Sequence, residues 1–154
     1  MKALQYRTTV EWTGNDGSGT STKIFGRDNE ISTVNKPTIV GSAPLEFGGD
    51  GVNWAPEDLF VGAISQCHML TYLFLCMRAG VVVDSYVDQA TGTLDVDGAG
   101  GRFSLVELHP VVTISAGDPA VADDLHLAAS KSCYVGNSVA CPVTVSGTVQ
   151  LISG

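Results

Sequence analysis

Pro56-Glu57-Asp58-Leu59-Phe60-Val61-Gly62-Ala63-Ile64-Ser65-Gln66-Cys67-His68-Met69-Leu70-Thr71-Tyr72-Leu73-Phe74-Leu75-Cys76-Met77-Arg78-Ala79, closed by Gly80, is the stretch that decides the fold. Proline at a first helical position, two acids in the first turn, and Arg78 ahead of a terminal glycine are helix start and stop signals. Residues 56–79 are therefore read as one long helix. Leu59, Phe60, Ile64, Leu70, Leu73, Phe74, Leu75 and Met77 cover nearly its whole circumference, which predicts burial on all sides and makes this the central helix. Gly62, Ser65, Gln66 and His68 interrupt its first half, leaving too short an apolar run to cross a bilayer.

Working outward, Leu4 to Thr13 alternates and is rich in Thr, Tyr and Val; Gly14 to Gly19 supplies turn residues before Thr20 to Phe25, which together read as a hairpin. Ile31 to Val34 and Thr38 to Val40 add short strands, and Gly41 to Asn53 is a glycine-rich surface loop. Beyond the helix, Val82 to Val96 and Arg102 to Ser115 form a second hairpin across residues 97–101. Asp118-Pro119 caps a second helix running to about Tyr134, Gly136-Asn137 ends it, and Val143 to Ile152 is a final strand. The class is α+β, with no internal repeat and no linker, so residues 1–154 are expected to form a single domain.

The 154 residues suit one domain of ordinary size. Charged residues are only 16% of the chain, low enough that apolar surface is expected to be hidden in a subunit interface. Eight basic against sixteen acidic residues give a net charge of −8, which excludes an electrostatic footprint for nucleic acid or an anionic membrane. The N-terminal residues lack an apolar signal core, so a soluble, cytoplasmic protein is expected, with its four cysteines as thiols.

Those cysteines differ in setting. Cys76 lies in Leu73-Phe74-Leu75-Cys76-Met77 and points about 180° from Cys67, so it reads as a small buried hydrophobe. Cys141, beside Pro142, reads the same way. No two cysteines have zinc-ligand spacing, and no metal site is expected. Cys67 and Cys133 have small or polar neighbours that leave room for a reactant, although buried structural thiols remain the alternative. His68, about 100° from Cys67 on the helix, reads as a packed or partner-facing residue, and His126, about 10 Å along the helix from Cys133, as packing. Trp12, Trp54, Phe60, Tyr72 and Phe74 are candidates to wall an apolar pocket.

The run Asn53-Trp54-Ala55-Pro56-Glu57-Asp58-Leu59-Phe60, with Cys67 ten residues after the glutamate and a second cysteine in a late helix, resembles the OsmC/Ohr family of osmotically inducible and organic-hydroperoxide-resistance proteins. The likeness extends from the N-terminal strands to the final strand. It implies an intertwined homodimer with active sites at the interface, Cys67 as peroxidatic cysteine and Cys133, in Ser130-Lys131-Ser132-Cys133-Tyr134, as resolving cysteine. The implied reaction is reduction of organic hydroperoxides through a Cys67 sulfenic acid and a Cys67–Cys133 disulfide, reset by an external dithiol or lipoyl-type reductant with no bound cofactor.

A thiolate is needed for attack, and Cys67 lies about 15 Å from the helix N-terminus, beyond useful reach of the dipole. In the family a glutamate at the helix start holds an arginine against the thiol. Glu57 matches the glutamate but cannot reach Cys67 of its own helix, so the pair is expected to act across the dimer interface. Residues 37–56 contain no Arg or Lys, and Arg27, ahead of Arg7, is the candidate for the arginine. The alternative is a non-peroxidatic relative that binds a small apolar molecule or thiol conjugate.

Overall fold

The computed structural model describes residues 2–152, which divide into two compact units, one ending at Leu59 and the other beginning at Phe60. In the first, β1 (Thr9–Trp12), β2 (Asn29–Ser32) and β3 (Ile39–Gly41) form an antiparallel sheet in that order, with Trp12 opposite Asn29 and Ile31 opposite Ile39. The expected partner of β1, residues 20–25, is not a strand. The Asn15 carboxamide oxygen accepts the Gly17 and Gly19 N–H groups and Asp16 accepts that of Ser18, so local side-chain bonds turn the backbone before it can pair. The neck of the resulting loop is tied by Thr13 and Gly14 N–H donating to the Asp28 carbonyl, and by Trp12 Nε1 donating to the Gly26 carbonyl at 2.8 Å.

The long helix α1 spans Pro56–Ala79 as its sequence signals require. Burial on all sides is not what the chain by itself achieves. Ile64, His68, Tyr72 and Cys76, one turn apart, are buried, while Leu70, Phe74 and Met77 on the other side are 52–63% exposed. The helix is long and apolar enough to cross a membrane by length and composition, contrary to the interruption argument. Its buried stripe, however, belongs to the packed interior of the second unit.

In that unit the two expected hairpin strands are four: β4 (Val82–Asp88), β5 (Thr91–Asp97), β6 (Gly100–Leu108) and β7 (Pro110–Ala116). The expected final strand is likewise two, β8 (Val143–Val145) and β9 (Thr148–Leu151). The breaks are aligned, because β4 and β9 flank β7 in one sheet while β5 and β8 flank β6 in another. At the joint Asp88 accepts the His109 N–H at 2.7 Å and also the Ser65 hydroxyl of α1, so a carboxylate takes over bonds that a ladder would otherwise supply.

Each sheet has its own core. Ile64 near the start of α1 packs with Val106 and Leu108, and Tyr72 and Cys76 near its end pack with Val112, Ile114, Ala122 and Ala129. The second helix, α2 (Pro119–Ser132), starts with the Asp118 carboxylate accepting the Ala120 N–H at 2.9 Å. It stops before the expected Tyr134, at Cys133, whose extended backbone makes it the C-cap, and a short 3-10 turn, Gly136–Ser138, follows. His68 falls on α1 between the two cores.

Candidate active site

Cys67 is half-buried on α1, its carbonyl accepting the Thr71 hydroxyl at 2.9 Å. Cys133, only 2% exposed, closes α2. Burial pushes the Cys133 thiol up to about 11, and the neighbouring Cys67 thiol reinforces the rise. Against this, the Gly136 N–H donates to Cys133 Sγ at 3.3 Å. A Cβ at position 136 would come within 3.2 Å of that sulfur, so glycine keeps the approach open. The structure thus brings together the two thiols singled out from the sequence, and leaves Cys76 buried in the core.

Behind Cys133 lies a cavity of about 180 Å³, lined also by Ile64, His68, Leu108, Ser130 and Asn137. His68 and His126 are both buried, with His68 Nε2 and His126 Nδ1 3.1 Å apart. The His126 ring stacks on Tyr72 at a centroid distance of 4.0 Å, and Gly147 leaves room for its far edge, because a Cβ there would lie 2.7 Å from His126 Nε2. Burial depresses both imidazoles, His126 to about 4. A packing role was expected for each histidine; their pairing across two helices was not. The signal available was the helical stripe Ile64-His68-Tyr72-Cys76 and its counterpart Ala122-His126-Ala129-Cys133.

A family model described as OsmC-like protein matches residues 48–147. The chain belongs to the OsmC-like family. An OsmC-like protein of unknown function from Vibrio cholerae has a similar structure, with 26% identity, a TM-score of 0.85 and coverage of 95% of this chain and 100% of that one. An organic hydroperoxide resistance protein from Elizabethkingia anophelis, crystallised with thiocyanate bound, shares the fold at 22% identity and a TM-score of 0.66, covering 98% and 99% of the two chains. The uncharacterized protein YmaD of Bacillus subtilis (strain 168) is 22% identical over 120 residues, 74% of this chain and 80% of that one. The α+β order of elements is that of OsmC-like folds.

Within this OsmC-like chain, the other two expected site residues lie in the first unit and do not pair there. The Arg27 guanidinium stacks on the Phe25 ring at 3.6 Å and its Nε donates to the Phe47 carbonyl at 3.4 Å. Glu57 keeps Oε2 buried without a hydrogen-bond partner. The five aromatic residues do not wall one pocket. Trp12 and Trp54 line a cavity of about 550 Å³ with Phe25 and Arg27. Phe60 stacks on Phe103 beside a different cavity of the second unit, Tyr72 is fully buried, and Phe74 is exposed next to Arg78. Side-chain size predicted a shared wall; instead Trp12 and Trp54 lie outside the helix, and Phe60 and Phe74 are about 21 Å apart along α1 at about 1.5 Å per residue.

Proposed function

We propose that the chain is a thiol peroxidase that reduces organic hydroperoxides through Cys67 and Cys133. The observation that carries this reading is the facing of the two thiols across α1 and α2. Cys67 thiolate attacks the outer peroxide oxygen, the O–O bond breaks, the alkoxide takes a proton and leaves as an alcohol, and Cys67 becomes a sulfenic acid. Cys133 condenses with it to a disulfide and water, and an external dithiol or lipoyl-type reductant restores both thiols. Half-exposure suits Cys67 to meet the peroxide, and burial suits Cys133 to wait.

Leu70, Phe74 and Met77 support an obligate homodimer, because an exposed apolar stripe on the longest helix is what such an interface covers. Across it Arg27 would stabilise the Cys67 thiolate with Glu57 orienting the guanidinium, for which the unpartnered Glu57 Oε2 supplies the acceptor. The site is cytoplasmic in this reading, where dithiol reductants are available. Light scattering at micromolar concentration should give a dimer, and a monomer would remove Arg27 from the mechanism. Consumption of cumene hydroperoxide with dithiothreitol or dihydrolipoamide, run beside hydrogen peroxide, tests the activity.

One observation favours a second reading, a family member that binds a small apolar molecule or thiol conjugate. The cavity between Trp12 and Trp54 is apolar, with Arg27 already engaged by Phe25 and Phe47. Absence of peroxide consumption, together with binding of an apolar thiol, would favour it.

A further inference from the structure

The two-cysteine reading leaves a proton unaccounted for. Cys133 must lose its S–H proton to attack the sulfenic sulfur, yet it is buried and its thiol is pushed up to about 11. At neutral pH a thiol with that value is ionised at the level of roughly one part in ten thousand. Something near it must accept the proton as the bond forms.

His68 and Cys133 line the same cavity, and its volume of about 180 Å³ is large enough to admit water. Because His68 Nε2 is engaged with His126 Nδ1, Nδ1 is the nitrogen of His68 left for exchange. His126 in turn is held by the stack on Tyr72, and its Nε2 is buried without a hydrogen-bond partner. The 3.1 Å contact takes one hydrogen between the two nitrogens; in the tautomer in which His68 Nε2–H donates it to His126 Nδ1, His68 Nδ1 carries a lone pair.

We propose that His68 accepts the Cys133 proton during disulfide formation and passes it to the departing hydroxide, with His126 as the positioning residue that fixes the His68 tautomer. The inference rests on the two-cysteine reading. In the step, the Cys133 S–H bond breaks and its electron pair forms the S–S bond to Cys67. The S–O bond of the sulfenic acid breaks, and hydroxide takes the proton from His68 and leaves as water. Cys133 sulfur is oxidised, Cys67 sulfur is reduced, and no further oxidant is required.

The titratable groups around the pair agree with this role. Burial depresses both imidazoles and so favours their neutral forms, which leaves His68 able to accept a proton at Nδ1. Asp88 on β4 opposes that depression at His68, and Asp88 and Asp123 oppose it at His126, while each protonated histidine would repel the other. Tyr72 and Tyr86, the remaining titratable neighbours, have phenols raised by burial and stay neutral. Ser130 and Asn137 on the cavity wall carry no charge.

The test avoids peroxide. In a Cys141→Ser background, dithionitrobenzoate places a thionitrobenzoate on half-exposed Cys67, and attack by Cys133 releases a second thionitrobenzoate that is followed by absorbance from pH 5.5 to 10. The wild-type rate should be level from pH 7 to 9. His68→Gln, which keeps a donor toward His126, should be about 10²-fold slower at pH 7 and gain about tenfold per pH unit as hydroxide replaces the base. His126→Asn should fall in between, and imidazole should partly restore His68→Ala. A His68→Gln profile with the wild-type shape, at any rate, would overturn the proposal. So would a wild type that never releases the second thionitrobenzoate, which would sink the two-cysteine reading as well. Release by the wild type without any peroxide consumption would end the peroxidase reading alone and leave His68 in place.

Discussion

Cys133 and Cys76 are buried almost equally, at 2% and 1% exposure, and burial pushes both thiols up, yet only Cys133 has a second thiol beside it, and only it reacts in the proposed mechanism. Cys76 sits in the last turn of α1 with its side chain in the core beside Tyr72, Val112, Ile114 and Ala129, and the one polar influence on its thiol is the Tyr72 phenol. Cys133 sits where a helix stops. Its sulfur receives the Gly136 N–H, adjoins a cavity and senses a second thiol. Beyond the end of α2 the chain turns back and aims the Gly136 N–H at the Cys133 sulfur, whereas Cys76, inside its helix, receives no backbone donor on its sulfur. Burial alone therefore does not distinguish a working thiol from a packing one.

The strongest way to break this comparison is to exchange the roles. Cys67→Ser should abolish consumption of organic hydroperoxide, a loss of more than about 10³-fold because the nucleophile is gone. Cys133→Ser should permit one turnover and then stall with sulfenic or over-oxidised acid on Cys67, read by mass spectrometry. Wild-type consumption by Cys67→Ser would remove the assignment of the peroxidatic residue.

Next in size is the cation. Arg27→Ala should slow peroxide reduction by about one to three orders of magnitude and shift alkylation of Cys67 by iodoacetamide to higher pH, while the dimer persists. Glu57→Ala should cost less, since it only orients the guanidinium. Unchanged alkylation profiles in Arg27→Ala would eliminate that residue and strengthen the binding alternative.

The contrast also marks what the sequence could disclose. The bounds of α1 were legible because Pro56, Glu57, Asp58, Arg78 and Gly80 are local signals, and local signals set helix ends. Family spacing singled out Cys67 and Cys133, and the structure places these two thiols beside each other. The strand break at Gln89-Ala90, His109 and Ser146-Gly147 was not, because no single stretch shows that three chain segments must bend at the same level. The histidine pair was hidden for the same reason: each residue alone reads as packing, and only the crossing of α1 and α2 joins them. The exposed side of α1 escaped because periodicity reports apolarity, not whether the rest of the chain covers it.

A smaller effect follows from those histidines. The folded state holds His126 at about 4 and the unfolded chain near 6.5, so the unfolded state binds the proton first. Stability should therefore be fully present above pH 6.5 and fall as pH drops toward 4, by up to about 3 kcal/mol from this residue, with His68 adding in the same direction. Urea unfolding at steps from pH 7 to pH 4 reads the loss. His126→Phe keeps the ring against Tyr72, so its acid limb should be flatter even though the unpaired His68 makes it less stable at pH 7. An unchanged acid limb would mean that His126 binds its proton as readily in the native protein as in the unfolded chain.

The smallest effect belongs to the packing thiol and isolates it from the working one. Cys76→Ala deletes a single sulfur from a site where Tyr72, Val112 and Ile114 leave no access to solvent, so the cost is lost dispersion contacts plus a small void. A cost of about 1–2 kcal/mol in urea unfolding is expected, with peroxide consumption within about twofold of wild type. Cys76→Ser discriminates further. Tyr72 Oη is buried without a hydrogen-bond partner, so the new hydroxyl has an acceptor or donor waiting and should cost no more than alanine, against the usual rule for burying a polar group. If Cys76→Ala instead lowers peroxide consumption tenfold while stability holds, the last turn of α1 takes part in the chemistry, and the distinction between the two buried thiols loses its meaning in this protein.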